Sequence, residues 1–219
     1  MKKKILALCL VVVLAVTAVT GATLAYFTDT DENVNVITVG NVDITLDEAE
    51  VERKGDEWVP GEERVKENTY EDVYPGAVLP KDPTVHNEGS YGAFVRVNIT
   101  VDFNKLAGMQ ADKELFNGAT EDEELTNILN IDTENWTYVK YVVDFDSRTV
   151  TYTYNYKTEL AAGTDTTPVF TEVTIPAALT NEDVAAYGLD EFQIKVVAEA
   201  IQTMGFVSVD EAFAAYDAE

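Results

Sequence analysis

Residues 95–103 alternate strictly between apolar and polar side chains, and this period of two constrains the fold more than any other feature of the chain. Because successive side chains of a strand point to opposite faces, the pattern predicts a half-buried strand. Its apolar members are Val95, Val97, Ile99, Val101 and Phe103. The alternation recurs over residues 42–46, 139–145 and 149–156, and further strands are expected over residues 168–175 and 191–202.

The segments 139–145 and 149–156 are predicted to pair as a hairpin, because the turn residues Asp146-Ser147-Arg148 separate them. One face of the first strand is expected to carry Val139, Tyr141, Val143 and Phe145. One face of the second is expected to carry Val150, Tyr152, Tyr154 and Tyr156. Both sets are β-branched or aromatic, as a pleated and half-buried surface prefers.

Helical signals are few and short. Thr180 begins a capping-box pattern with Gly188 as the expected stop, and Ser208 begins a second pattern before a short C-terminal helix. Residues 48–71 are interpreted as a mobile loop and residues 105–134 as an insertion, since neither keeps the strand rhythm. Several strands without βαβ order predict an all-β protein. We expect an antiparallel β-sandwich with short helices in its connections and at its C-terminus.

The first 25 residues have the layout of a secretory signal peptide. Met1 and three lysines precede the apolar run 5–19, and small residues follow up to Ala25. Cleavage is expected between Ala25 and Tyr26. It would leave no stable membrane span, and the apolar run is itself shorter than the roughly 20 residues that cross a bilayer. An uncleaved membrane anchor is the alternative.

The chain is strongly acidic. Its 219 residues include 15 Lys or Arg and 40 Asp or Glu, so the formal net charge is 15 − 40 = −25. This charge argues against nucleic acid and anionic lipid as partners, because both are polyanions. The expected signal peptide holds three of the lysines and no acid, so the mature chain would carry 12 − 40 = −28.

Few residues are available for catalysis or metal binding. Cys9 lies in the expected signal peptide and His86 is the single histidine, which argues against a zinc site, a disulfide framework and a Ser-His or Cys-His centre. Asp29 begins a stretch that resembles a calcium loop, but Val34 and Gly40 stand where that loop needs Gly and Glu. We therefore predict no catalytic residue, metal ligand or cofactor, and interpret His86 as a strand or turn residue.

Several sequence blocks occur in an order that is typical of one family. They are 23–29 (TLAYFTD), 39–46 (VGNVDITL), 74–76 (YPG), 81–90 (KDPTVHNEGS), 93–97 (AFVRV), 160–164 (LAAGT), 168–170 (PVF) and 194–206 (IKVVAEAIQTMGF). Together they resemble the TasA/camelysin family, which comprises secreted proteins of Gram-positive bacteria. The resemblance covers both ends and much of the middle of the chain, and it is weakest over residues 48–71 and 105–135.

The resemblance implies a jelly-roll β-sandwich that a dedicated signal peptidase releases and that serves as a structural subunit of biofilm matrix fibres or a surface layer. In TasA-like fibres, the N-terminal segment of one subunit enters the sheet of the next, so the implied partners are further copies and a related matrix protein. Residues 26–47 would be this donor-strand segment, and residues 48–219 the jelly-roll domain with an insertion near 105–134. The implied apolar anchors of the donor are Val34, Val36, Val39, Val42, Ile44 and Leu46.

Two other functions stay open at the level of sequence. The camelysin branch of the family carries a peptidase label, which implies a surface metallopeptidase, although no ligand set accompanies His86. A monomeric surface adhesin or sugar-binding module is the third hypothesis. Trp58 and Trp136 would be among its sugar contacts, but core packing is the favoured interpretation of both.

Overall fold

The computed structural model describes residues 28–31, 42–102, 104–106 and 128–218. The cleavage site at Ala25 and Tyr26 and most of the expected insertion lie outside these residues. The strands within them are β1 (Thr28–Asp31), β2 (Ile44–Lys54), β3 (Glu57–Val65), β4 (Val78–Pro80), β5 (Thr84–Asn87), β6 (Ala93–Asp102), β7 (Trp136–Asp144), β8 (Thr149–Tyr156), β9 (Glu172–Thr174) and β10 (Ile194–Gln202). The helices are α1 (Asn181–Tyr187) and α2 (Val209–Tyr216).

The strands form antiparallel sheets that pack as a sandwich. One sheet has the order β1-β10-β6-β8-β7, a second has the order β3-β2-β5, and β4 pairs with β9. The core between them includes Ile44 and Val85 of the smaller sheet together with Val95, Ile99 and Tyr152 of the larger one. This confirms the predicted all-β class. No helix in the described part of the chain is long and apolar enough to span a bilayer.

The central strand β6 follows the predicted alternation. Val95, Val97 and Ile99 are fully buried, and the polar residues between them lie on the outer face of the larger sheet. The predicted helix signals are also confirmed. Thr180 and Ser208 cap the N-termini of α1 and α2, and Gly188 ends α1 with a left-handed φ of 64°.

The hairpin of β7 and β8 is confirmed, but the predicted face of β7 is wrong in part. A register shift between Tyr138 and Lys140 inserts one unmatched residue. Because a single inserted residue exchanges the two faces of a strand, Tyr138 packs on the core while Val139 is 44% exposed. Phe145 lies in the turn and is 78% exposed. On β8 the expected inward face is confirmed.

The expected mobile loop over residues 48–71 is wrong for most of its length, because β2 and β3 form a long hairpin there. Gly55 opens the tight turn with φ of 72°. The hairpin extends beyond the core, so charged residues occupy both faces and no apolar alternation marks it. β2 also runs without interruption through the domain boundary expected at residue 47.

The helix α2 is attached to the outer face of the larger sheet by Arg96. The Arg96 side chain, only 8% exposed, donates to Glu199 of β10 and to both carboxylate oxygens of Asp217 at 3.0 and 2.7 Å. Its guanidinium also lies 4.4 Å from the ring centre of Phe213 and 5.4 Å from that of Tyr216. Arg96 therefore joins two strands and the C-terminal helix.

Candidate functional site: a sheet edge and the groove beside it

One edge of the larger sheet is formed by β1, a strand of four residues, and the other by β7. Its register on β10 runs from Thr28 opposite Ile201 to Asp31 opposite Ala198. β10 itself pairs with β6 over its full length, from Ile194 to Gln202. In the described part of the chain β1 thus has one hydrogen-bonded neighbour and covers less than half of β10.

A groove of about 1110 Å³ adjoins the part of β10 that lies beyond β1. Its lining includes Ile194 and Val196 of β10, Leu46 and Glu48 of β2, and residues 66–75, which are termed its wall. The apolar lining also includes Leu79, Val173, Ile175, Leu179 and Phe192, and charged side chains surround it. The groove therefore continues the line of the sheet edge with a partly apolar surface.

The structure describes three of the six expected donor anchors. Val42 and Ile44 are buried in the core of their own chain, and Leu46 packs against that core and lines the groove. Val34, Val36 and Val39 lie outside the described residues. The part of the N-terminal segment that reaches residue 42 and beyond thus belongs to the body of the sandwich.

His86 lies on β5, as the sequence suggested, and bridges two carboxylates. Its Nε2 is 2.8 Å from Asp47 Oδ1 and its Nδ1 is 2.7 Å from Asp165 Oδ1. Arg64 donates from Nε to the same Asp47 oxygen at 2.7 Å and from Nη1 to Asp82 at 2.6 Å. This cluster ties together the strands β2, β3 and β5 and the loop that carries Asp165.

The cluster shifts the proton affinity of His86. Burial alone would lower the pKa of His86, but the hydrogen bonds and negative charges of Asp47 and Asp165 outweigh it and raise the pKa. A group whose pKa is raised by folding stabilises the fold below its unfolded pKa, about 6.5 for histidine, and loses that contribution as the pH rises through the folded value. The ion pairs of His86 are therefore present while His86 is protonated and are lost as the pH rises through its folded pKa.

We predict that His86→Gln destabilises the protein more at about pH 5.5 than at about pH 8.5. The variant removes the titrating ring and keeps a polar side chain of similar reach. Urea denaturation gives the free energy of unfolding of both proteins at each pH. The difference between wild type and variant at one pH excludes the contribution of the many other carboxylates, because both proteins share them. A difference that is equal at both values, or larger in alkali, would contradict the prediction.

A metal ion does not fit the surroundings of His86. Both ring nitrogens already contact carboxylate oxygens, and the guanidinium of Arg64 lies beside Asp47, where it would repel a cation. Among the described residues, no cluster of three or more His, Cys, Asp or Glu side chains is arranged to hold a metal.

Comparison with known proteins places the chain in a family. A family model described as camelysin metallo-endopeptidase matches residues 1–205, which is most of the sequence. The chain belongs to the camelysin family. No curated protein and no solved structure matches it. The camelysin match ends before α2, so the helix that Arg96 attaches lies beyond the matched region.

Sequence reasoning missed the polar contacts that organise this region of the camelysin-family chain. Asp47 lies 39 residues from His86, and Glu48 lies 33 residues from its partner Lys81 and 20 from Asn68. The sequence does not indicate that Glu48 is buried, because other acidic residues lie close to it in the sequence and nothing distinguishes it from them. The Lys81-Asp82 pair falls within a block that resembles the family, which was the one available pointer.

Proposed function

We propose that the chain is an exported structural subunit that assembles head-to-tail into extracellular matrix fibres or a surface layer. One subunit donates its N-terminal segment to the sheet edge of the next. The observation that carries the proposal is β1, a short edge strand that is hydrogen-bonded to one described strand and lies beside a groove that extends the same edge. Membership of the camelysin family is consistent with this role and supports export.

Exchange of β1 between subunits changes the free energy of its pairing with β10 only slightly. A β1 from a neighbouring copy would make the same backbone hydrogen bonds with β10 that the chain makes with itself. Residues 32–41 lie between β1 and the body in the sequence, and ten residues span at most roughly 35 Å, so the donating and accepting subunits must be in direct contact. Because the donating and accepting surfaces differ, the contact does not close on itself and propagates a filament.

The exchanged segment is best limited to residues 26–41. Val42 and Ile44 are fully buried in their own chain, and withdrawing each would cost about 1.5–3 kcal/mol. In the proposed fibre, the anchors Val34, Val36 and Val39 of one copy occupy the groove of the next, while Leu46 of the accepting copy lines it. Val34, Val36 and Val39 are thus expected to pass to the neighbouring copy, while Val42, Ile44 and Leu46 stay in their own chain.

Export would control when assembly begins. In the proposed scheme a signal peptidase cleaves between Ala25 and Tyr26, which frees the N-terminus next to β1 for exchange outside the cell. The mature chain then acts in the extracellular matrix or at the cell surface, with further copies and a related matrix protein as partners. Before cleavage, the attached signal peptide prevents the donor segment from pairing with the sheet of a neighbouring subunit.

Electron microscopy of the purified mature chain, beginning at Tyr26, tests the proposal. We expect filaments that grow from monomers, with assembly favoured by salt because screening weakens repulsion between acidic subunits. The uncleaved chain in detergent is the control and is expected to stay unassembled. Persistent monomers over a wide range of pH and salt would instead favour the monomeric adhesin or sugar-binding module.

A metallo-endopeptidase is the second candidate, and the description of the family favours it. The surroundings of His86 do not fit a metal, so we predict that the mature protein does not cleave casein above a blank. His86→Ala and an added chelator are the matched tests. Cleavage by the wild-type protein that both treatments abolish would contradict the prediction and identify His86 as part of a metal centre.

A further inference from the structure

Glu48 is a buried carboxylate with a lysine on one oxygen and an asparagine on the other. Its side chain is 4% exposed, and the Lys81 ammonium, 14% exposed, donates directly to Oε2. The Asn68 carboxamide donates from Nδ2 to Oε1 at 3.1 Å. An amine and an amide thus share one carboxylate that is shielded from water, where proton transfer is efficient.

The Asn68 carboxamide is held rigidly by backbone groups. Its Oδ1 accepts from the Val51 N–H at 2.8 Å, and its Nδ2 also donates to the Ala49 carbonyl at 2.7 Å. These bonds occupy positions around the amide plane and fix which atom is oxygen and which is nitrogen. None of these bonds involves the carbonyl carbon, and the Val51 N–H donates to the oxygen on which negative charge would develop.

A neighbouring contact brings the two chain segments together. The Tyr70 hydroxyl donates to the carbonyl of Pro80, the residue before Lys81. Burial, with added effect from the charges of Glu48 and Asp82, raises the pKa of Tyr70, so its hydroxyl keeps the proton that it donates. Two residues before Tyr70 lies Asn68, so this bond holds the amide segment beside the lysine segment.

We propose that Lys81 and Asn68 react to form an intramolecular isopeptide bond, with Glu48 as the general acid and base. Glu48 takes a proton from the Lys81 ammonium, and the free amine attacks Cγ of Asn68. The Val51 N–H stabilises the resulting oxyanion on Oδ1. The bond from Cγ to Nδ2 then breaks. The two protons lost by the lysine nitrogen pass to Nδ2, which leaves as ammonium, so atoms and charge balance without an oxidant or cofactor.

The bond would close a covalent ring over residues 68–81. This ring includes most of the wall of the groove, which is otherwise an irregular segment between β3 and β4. A mature chain without cysteine has no disulfide for this purpose, and an amide cross-link resists reduction. The proposal does not depend on fibre formation, because the reaction takes place within one chain.

Peptide mapping of the denatured, purified wild-type protein tests the bond. We expect the protein to be lighter by one ammonia. Trypsin cleaves after Lys66 and Arg96 but would not cleave at an acylated Lys81, so a single peptide of residues 67–96 should carry the loss. Fragmentation should give no ions from cleavage between residues 68 and 81. A succinimide at Asn117-Gly118 also loses ammonia, but it falls on a different peptide.

Three substitutions complete the experiment. Lys81→Arg, which keeps the charge, and Glu48→Gln, which removes the proton carrier, are expected to restore the full mass. Lys66→Arg is the matched control and should keep the loss of ammonia. Recovery of peptide 67–81 from the wild-type protein at full mass, with a free lysine amine, would overturn the proposal, whether or not the variants fold.

Discussion

A mature chain with prolines in place of Asp29 and Thr30 is expected to remain folded but to lose fibre assembly. Within β1 at least one of two consecutive residues directs its N–H toward β10, and proline has no N–H to donate. The loss of hydrogen bonds worth about 0.5–1.5 kcal/mol each, together with steric conflict, should detach β1 from the β10 of any chain. The N-terminal segment would then no longer join subunits, and the extent of assembly should fall by about tenfold or more. Light scattering and electron microscopy measure the effect.

The matched control carries alanine at the same two positions. Asp29→Ala with Thr30→Ala removes the same side chains but keeps both N–H groups, so it should assemble at nearly the wild-type rate. Circular dichroism of the two monomers should agree, because β1 lies at the edge of the sheet and the other described strands pair without it. Equal assembly by the proline and alanine variants would show that β1 pairing does not join subunits.

Arg96→Leu is expected to cause a large loss of stability. The substitution removes the cation that Glu199 and Asp217 share. Glu199 is only 15% exposed, while Asp217 is 38% exposed and keeps its contact with Lys140 at 3.3 Å. Removal of one partner from a buried ion pair costs about 3–5 kcal/mol. We expect the free energy of unfolding to fall by about that amount, and hydrogen exchange to increase over α2, which Arg96 attaches to the sheet.

Arg53→Leu provides the control, because Arg53 makes the same kinds of contact at the surface. It pairs with Asp72, which is 86% exposed, and its guanidinium lies 5.2 Å from the ring centre of Trp58. An exposed pair of this kind contributes about 0–1 kcal/mol. Chemical denaturation of both variants gives the comparison. Losses of similar size would contradict the claim that burial makes Arg96 important.

Local signals in the sequence predicted much of the sandwich. The alternation along β6 reports directly on burial, because one face of that strand packs on the core. The caps at Thr180 and Ser208 act within a single turn, so they could be recognised without knowledge of the fold. The family resemblance, which the match over residues 1–205 confirms, assigned the chain that contains these elements to one protein family.

The hairpin of β2 and β3 escaped prediction for a physical reason. Much of it is exposed on both faces, so neither face required apolar residues. Asn68 inserts its carboxamide at the register shift between Ala49 and Val51 and bonds the backbone there. A local sequence window contains no trace of a contact that a distant side chain makes, and the segment therefore resembled a loop.

The polar centres were equally inaccessible to sequence reasoning. Arg96 meets Glu199 and Asp217 across 103 and 121 residues, and His86 meets Asp165 across 79. In a chain with 40 acidic residues, chance pairs are too many for any one pair to be singled out. Burial distinguishes the important carboxylates, and burial is a property of the folded chain.

Cross-linking of mixed subunits measures most directly whether β1 passes between chains. Asp29 and Ala200 are opposite one another in the β1–β10 register, at a spacing suitable for a disulfide, and the expected mature chain has no other cysteine. Subunits with Asp29→Cys alone are mixed with subunits with Ala200→Cys alone, assembled, and oxidised. If β1 passes between chains, a disulfide-linked dimer is expected on a non-reducing gel. A variant with both cysteines in one chain is the control. Exchange of β1 would be contradicted if the mixed fibres yield no such dimer and the double variant in fibres forms its disulfide only within one chain.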